Sequence, residues 1–539
     1  MTQRRTYTAL AALTLSLLAA APAQAAPPPG HRHHVDCSAT TPGDGSARRP
    51  WTSLAEANAH TYGPGDRLLL KRGTTCVGTL QPRGSGSAAH PFTIADYGPA
   101  PTRAVVDGNG AHDAVLLANT QHLRLTALEI TNAAAPGSER NGVRLRLADF
   151  GAAKGITLDH LSIHDVRGGD FKTLTGSSAI HIAVEGTTVP SWYDGLTVHH
   201  NDIRDVDREG IYFKSRFSRR DLVGNQQDPN AYPGAWTPSV NVRIHHNTLT
   251  SLAGDGIKID TTSGARIDHN RLDGFQLRSQ AANAGIWTFN TDDTVVEYNE
   301  VSGGGGTKDG MSFDADGASK GTVFQYNHSH DNQGGFLLIC PYSGAKTLDT
   351  VVRYNLSVDD GARLIQNCWG PILNTRIHNN TFVNRTTVPA YLVQDDAGSP
   401  ATTQHELSIR NNVFVNEGGS GGYAFKNPTA GLSFSHNLFH GIAMTRPNPG
   451  GVAADPLLRP DLRLSAGSPA LSAGTLVADN GGRDWFGNAV SATSVPNIGA
   501  YEGPGLNQDA ADVTSARTCG PPGRRHRRAA RAAPASPHP

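Results

Sequence analysis

An asparagine recurs at near-constant spacing through the middle of the chain, each time in the frame apolar-x-x-Asn-x-apolar. The frame is Val198, Asn201, Ile203; Ile244, Asn247, Leu249; Ile267, Asn270, Leu272; and Val296, Asn299, Val301. It continues, in whole or part, at Asn327, Asn355, Asn380 and Asn437. Between Asn247 and Asn380 the successive intervals are 23, 29, 28, 28 and 25 residues. One such repeat is too short to bury its own apolar residues. Each needs a neighbour above and below, which makes the chain a stacked β-solenoid. Asparagine is poor in strands, tolerates the left-handed conformation and bonds local backbone at turns. Stacked at one turn of successive coils, its amides hydrogen-bond along the column, so the register reads as structural. That reading also discounts glycosylation at the sequons of Asn327, Asn355 and Asn379. His200, His246 and His269 precede ladder residues and are expected to stack as a second column without binding metal.

The ends set the compartment. Arg4 and Arg5, an apolar run over 9–21 and Ala23-Gln24-Ala25 read as a secretory signal over 1–25, cleaved after Ala25. The arginine pair leaves a twin-arginine route open. No other stretch is long enough to span a bilayer, so a secreted, extracellular monomer is expected. A formal net charge of zero gives no electrostatic case for nucleic acid or an anionic membrane as partner. Five cysteines in an exported chain allow disulfides between Cys37 and Cys76 and between Cys340 and Cys368, while Cys519 has no evident partner.

Composition divides the rest. Residues 26–35 read as a linker whose histidine run is solvated, with metal binding by the run as the second reading. Residues 36–104 form an N-terminal cap and first strands, with a short helix near Ser53 to Ala57 and strands near Asp66 to Lys71 and Phe92 to Ile94. Residues 105–445 are the helical stack, interrupted by insertions at 165–178 and 214–239 that are long enough to shape a binding site. Residues 446–504, with Asp461 to Leu464 and Asn497 to Glu502, read as closing strands. The Ala/Pro/Arg-rich tail over 505–539 is too poor in apolar residues to fold.

Asp66-Arg67-Leu68-Leu69-Leu70-Lys71-Arg72-Gly73, Gly84-Ser85-Gly86, Ala95-Asp96-Tyr97-Gly98, the repeats, and Ile498-Gly499-Ala500-Tyr501-Glu502 together resemble the pectin-lyase-like superfamily. The resemblance covers roughly residues 36–502. It implies an all-β, single-stranded right-handed parallel β-helix with an N-terminal cap. Asn283-Ala284-Gly285-Ile286-Trp287 and Ser329-His330-Asp331-Asn332-Gln333-Gly334-Gly335-Phe336 further resemble secreted β-helix glycoside hydrolases of the fucosidase and xylanase type.

The chemistry is sought on the strands that follow each ladder residue and begin at Gly210, Gly256, Gly285, Gly310 and Gly335. Aligned from those glycines, alternation turns Tyr212, Lys258, Trp287, Ser312 and Leu337 outward, then Lys214, Asp260, Phe289, Asp314 and Ile339. Glu209, Asp255 and Asp309 lie just before the glycines. Carboxylates around an aromatic suit a sugar, since rings pack on pyranose faces while carboxyl groups take hydroxyls and protons. Two coils apart, Asp260 and Asp314 would sit about 9–10 Å from each other. Inverting glycosidases hold their carboxyls about 6.5–9.5 Å apart, so this pair is the expected acid and base. Asp255 and Asp309 form the competing pair, and Glu209 is an alternate or tuner. Trp287 and Tyr212 are expected to stack on sugar, Lys258 and Lys214 to bind it, and His330 and Asp331 to edge the groove or cap a turn. The leading expectation is a cofactor-free glycoside hydrolase acting on a polysaccharide. A polysaccharide lyase with a lysine base and Ca²⁺ on the aspartates is second, and a non-catalytic glycan-binding solenoid third.

Overall fold

The computed structural model describes residues 30–135, 137–226, 233–341, 344–387, 390–396, 404–418, 424–426 and 431–507. The signal, the start of the linker, Tyr232, Cys519 and nearly all of the tail lie outside these. Each coil visits three parallel sheets, of 17, 14 and 11 strands. In one coil these are Val295–Glu297 in the first sheet, Glu300–Ser302 in the second and Met311–Asp316 in the third. The frame apolar-x-x-Asn-x-apolar spans the corner between the first two sheets. Val296 and Val301 point into the core, and Asn299 fills the corner between them.

Tyr298 takes the left-handed conformation (φ 54°), as do His200, His246, His269, Tyr326 and Tyr354. The turn therefore falls on the residue before each asparagine and not on the asparagine itself, correcting the turn reading. The asparagine is there for its amide. Asn299 Nδ2 donates to the Ile267 carbonyl (2.9 Å) and Asn327 Oδ1 (3.0 Å), while its Oδ1 accepts from the Asn270 backbone N–H (2.9 Å). The same amide–amide bond repeats from Asn201 through Asn247, Asn270, Asn299, Asn327, Asn355, Asn380 and Asn412 to Asn437. A tight corner leaves backbone groups that no sheet can pair, and one amide per coil satisfies them. The preceding rings stack outside: His200–His246 at 4.9 Å, His246–His269 at 4.8 Å and His269–Tyr298 at 5.0 Å between centroids.

Both expected disulfides form, Cys37–Cys76 and Cys340–Cys368. The helix is Leu54–Ala59, started by Ser53 and Glu56 in a capping box and burying Leu54 and Ala57. The linker expected over 26–35 is corrected at its end. Arg32–Val35 is a strand paired with Arg67–Lys71, because Val35 enters the core beneath the cap. The closing strands near 461–464 and 497–502 are also corrected, since that segment is irregular apart from isolated bridges. It doubles back over the outer face of the second sheet. Leu462, Leu464, Ile498, Ala500 and Tyr501 there cover Leu356, Val383, Val413, Val415 and Leu438, which water would otherwise meet. Among the described residues no helix is long and apolar enough to cross a membrane.

Candidate active site

The third sheet carries the acidic face, but its register differs from the glycine alignment. Tyr212 pairs with Lys258 and Lys258 with Trp287, as expected. The next strand then slips by two residues: Trp287 pairs with Asp314 and Ile286 with Phe313. Asp314 pairs in turn with Leu338, so Leu338 faces outward and Leu337 joins the core. Ser312 is buried against Ser329 (2.6 Å) and Asn332 (2.8 Å). The loop 303–310, rich in glycine and turning through Asp309 and Gly310 with positive φ, absorbs the two residues. Asp314 consequently leaves the Asp260 column for that of Lys258 and Trp287. Two residues on, Asp316 emerges on the same face, about 6.8 Å along the strand from Asp314 at the Cα atoms.

Asp260 is engaged. Its Oδ2 lies 2.7 Å from Lys258 Nζ and its Oδ1 accepts from Thr261 (2.6 Å), all buried. Glu209 lies 2.9 Å from Arg208 Nε and accepts the Asp255 backbone N–H (3.1 Å). Asp255 accepts the Ala284 N–H (2.7 Å) and meets Lys172 Nζ at 2.9 Å. Burial, then the charge of Asp255, pushes the Glu209 carboxyl up to about 8. Asp314 is also buried, with Oδ1 unpartnered, and is driven well above the usual carboxylate range by burial and by Asp316 and Asp309. Burial carries Asp316 up to about 8 even though its Oδ1 accepts the Gly317 N–H. Burial raises Asp309 as well, opposed by the positive charges of Lys172 and Arg363.

The insertions close over this face. Residues 165–178 bring Lys172, whose ammonium sits 4.5 Å over the Trp287 ring, and Asp170, 2.8 Å from the buried Arg208. Lys258 lies 4.6 Å over Tyr212 and 5.2 Å over Trp287. Trp287 and Tyr212 are therefore buried beneath cations, not exposed platforms, at 7 % and 2 % accessibility. Burial together with Lys258 lowers Lys214 to about 8. The 214–239 insertion anchors beside the face through Arg220, which bonds Asn290 and Asp292 and stacks on Trp236 at 4.1 Å.

Glu209, Tyr212, Lys258, Asp260, Trp287, Asp309 and Asp314 thus share one neighbourhood. His330 and Asp331 do not join it. His330 ends a strand of the second sheet and bonds Glu300 (3.4 Å) and Asp331 (2.8 Å), which carry it up to about 9. Sequence reasoning missed Lys172, Arg208 and Asp316. Asp316 was findable as the second acid in Asp314-Ala315-Asp316, whereas the placement of Lys172 needs the insertion's path.

A family model described as "Right handed beta helix region" matches residues 192–355. A curated lacto-N-biosidase of Bifidobacterium longum subsp. longum is 27 % identical over 473 residues, covering 71 % of this chain but 28 % of that protein. The chain therefore spans well under a third of the length of that relative. The crystal structure of a GH136 lacto-N-biosidase from Eubacterium ramulus superposes with a TM-score of 0.60 at 24 % identity, over 72 % of this chain and 67 % of that one. The complex of XylC with xylose superposes at 0.53 and 11 % identity, over 88 % and 99 %. By its sheets, its register and these likenesses, the chain folds as a right-handed parallel β-helix.

Proposed function

We propose that this is an exported glycoside hydrolase acting on a glycan bound at Asp309, Asp314 and Asp316. The observation that carries the reading is a cluster of carboxyls on one face, Asp309, Asp314 and Asp316, all raised by burial, with Asp309 part-exposed where the other two are buried. Asp316, up to about 8, holds its proton at neutral pH and remains close enough to that pH to give it away. It donates to the glycosidic oxygen as the C–O bond breaks. Asp309, the least buried of the three and beside the positive charges of Lys172 and Arg363, serves as the partner carboxyl, and water adds to the anomeric carbon to complete hydrolysis. Asp314 is held well above the ordinary carboxylate range by burial and by its acidic neighbours. Asp260 holds Lys258 rather than reacting, which moves the pair from the Asp260 and Asp314 expected on spacing. Kinship with a lacto-N-biosidase supports a glycan substrate, and two disulfides support an oxidising compartment.

The test is a glycan panel that includes lacto-N-biosides, with product analysis. Asp316→Asn and Asp309→Asn are expected to lose about 10²–10⁴-fold in kcat, the usual range for a positioned acid or base. Full activity in both variants refutes the assignment. A Ca²⁺-dependent, ultraviolet-absorbing unsaturated product replaces hydrolysis by elimination, and binding without turnover supports the non-catalytic reading.

A further inference from the structure

Far from the acidic face, the cap gathers a second set of titratable groups. His33 lies on the edge strand Arg32–Val35, His60 caps the C-terminus of the helix Leu54–Ala59, and Asp66 immediately precedes the strand Arg67–Lys71. One ligand-type atom from each of the three lies within 4.8 Å of the others. The His33 and His60 rings are 4.2 Å apart. His33 stacks on Trp51 at 5.3 Å and meets the edge of Tyr62 at 5.4 Å, which fixes its plane. Ring packing accounts for that orientation but not for His33 Nε2, which is buried without a hydrogen-bond partner. Leaving a buried polar atom without a partner is unfavourable, so an unfilled one asks for a ligand.

Asp66 is prepared in the way a metal-binding carboxylate is. Its oxygens accept the backbone N–H groups of His31 (2.8 Å) and Gly63 (2.7 Å), which orient it while leaving lone pairs free. Among the described residues its ion-pair partner is another imidazole, His31 at 3.5 Å, and no arginine or lysine is paired with it. The contrast is His246, Asp268 and His269, which are equally close together. There Asp268 is held by the Arg243 guanidinium at 2.7 Å and Arg266 at 3.4 Å, and His269 is bonded to it at 2.9 Å. That carboxylate is already neutralised, and a cation would enter against two arginines.

We infer that His33, His60 and Asp66 form a structural site for a divalent transition-metal ion of the zinc type, with His31 adjacent as a fourth ligand. Two or three imidazoles with one carboxylate is a donor set that suits Zn²⁺ and disfavours Ca²⁺ or Mg²⁺. The ligands come from three separate segments, so the ion ties the outermost strand to the helix end and to the next coil. That is where a solenoid is otherwise open to fraying. Cys37–Cys76 fastens the other end of the same edge strand. The inference is independent of the hydrolase reading.

The test uses the full chain without an affinity tag, stripped with chelator and titrated with Zn²⁺ by calorimetry. Wild type is expected to bind one more ion than His60→Ala or Asp66→Asn, and its melting temperature to rise on Zn²⁺ addition while theirs does not. His246→Ala/His269→Ala is expected to keep the ion. His60→Gln, which removes the imidazole but keeps a polar side chain, serves where His60→Ala fails to fold. Co²⁺ in place of Zn²⁺ should show visible absorption of a tetrahedral nitrogen–oxygen site in wild type and lose it in His60→Gln. Equal stoichiometry in wild type and the cap variants overturns the inference, as does a wild type that binds no ion or one whose ion is lost only with His246 and His269.

Discussion

Replacing Asn299 by alanine probes the ladder at its centre. The substitution leaves the Asn270 backbone N–H and one hydrogen of its amide without their acceptor, Asn299 Oδ1. The carbonyls of Ile267 and Glu297 lose the donor Nδ2. Asn327 Oδ1 keeps a partner, because the Asn299 backbone N–H still reaches it at 3.0 Å. Two stranded donors at about 1–3 kcal/mol each suggest a loss near 4 kcal/mol, before any water enters the corner. Asn448→Ala is the internal control. Asn448 follows Asn437 at the open end of the column, part-buried, accepting from the Asn437 backbone N–H and Nδ2 at 3.2 Å and donating to its carbonyl at 2.9 Å. Solvent can reach this end, so its removal should cost about 1 kcal/mol or less. The assay is urea unfolding followed by far-ultraviolet circular dichroism, compared only where one transition is seen. Equal, small losses at Asn299 and Asn448 would refute the claim that the amides satisfy the corner.

Further outcomes follow from the site and the staples. Because Asp316 is raised to about 8 when folded, its protonated form stabilises the protein at low pH, and that contribution is lost as pH rises toward and through 8. Asp316→Asn should therefore flatten the fall in melting temperature between pH 5 and 8 as it abolishes turnover; an unchanged slope argues against a buried acid. Activity of the wild type should decline as pH passes about 8, seen in the alkaline limb of kcat/KM. Lys172→Met removes the cation over Trp287 and beside Asp255, and should raise the Trp287 fluorescence response to glycan while lowering kcat. Opening the 28-residue loop with Cys340→Ser/Cys368→Ser should cost about 3–4 kcal/mol by chain entropy, read in the same urea assay.

Much of the architecture was legible because it is periodic. The spacing of Asn247, Asn270, Asn299, Asn327, Asn355 and Asn380 dictates coil after coil, and alternation around Gly256 and Gly285 aligns Lys258 with Trp287 as the sheet has it. The alignment failed at the next coil, where a glycine-rich loop takes up two residues and carries Asp314 into a different column. Loop length does not specify where a strand begins when glycine permits several paths. Trp287 and Tyr212 read as exposed for a related reason: the lysine above Trp287 comes from an insertion over a hundred residues earlier, beyond the reach of any local pattern.

The sequence by itself determined the stack and its asparagine register, since one repeated local environment writes the same residues each time. Only the tertiary structure decided which carboxyls meet, which are paired with Lys258, Lys172 or Arg208, and which are raised by burial. It likewise decided that the C-terminal segment lies over the second sheet and that His33, His60 and Asp66 converge. Those outcomes depend on contacts between distant segments and on the low dielectric of the place where they meet, and neither is encoded in the spacing of neighbours along the chain.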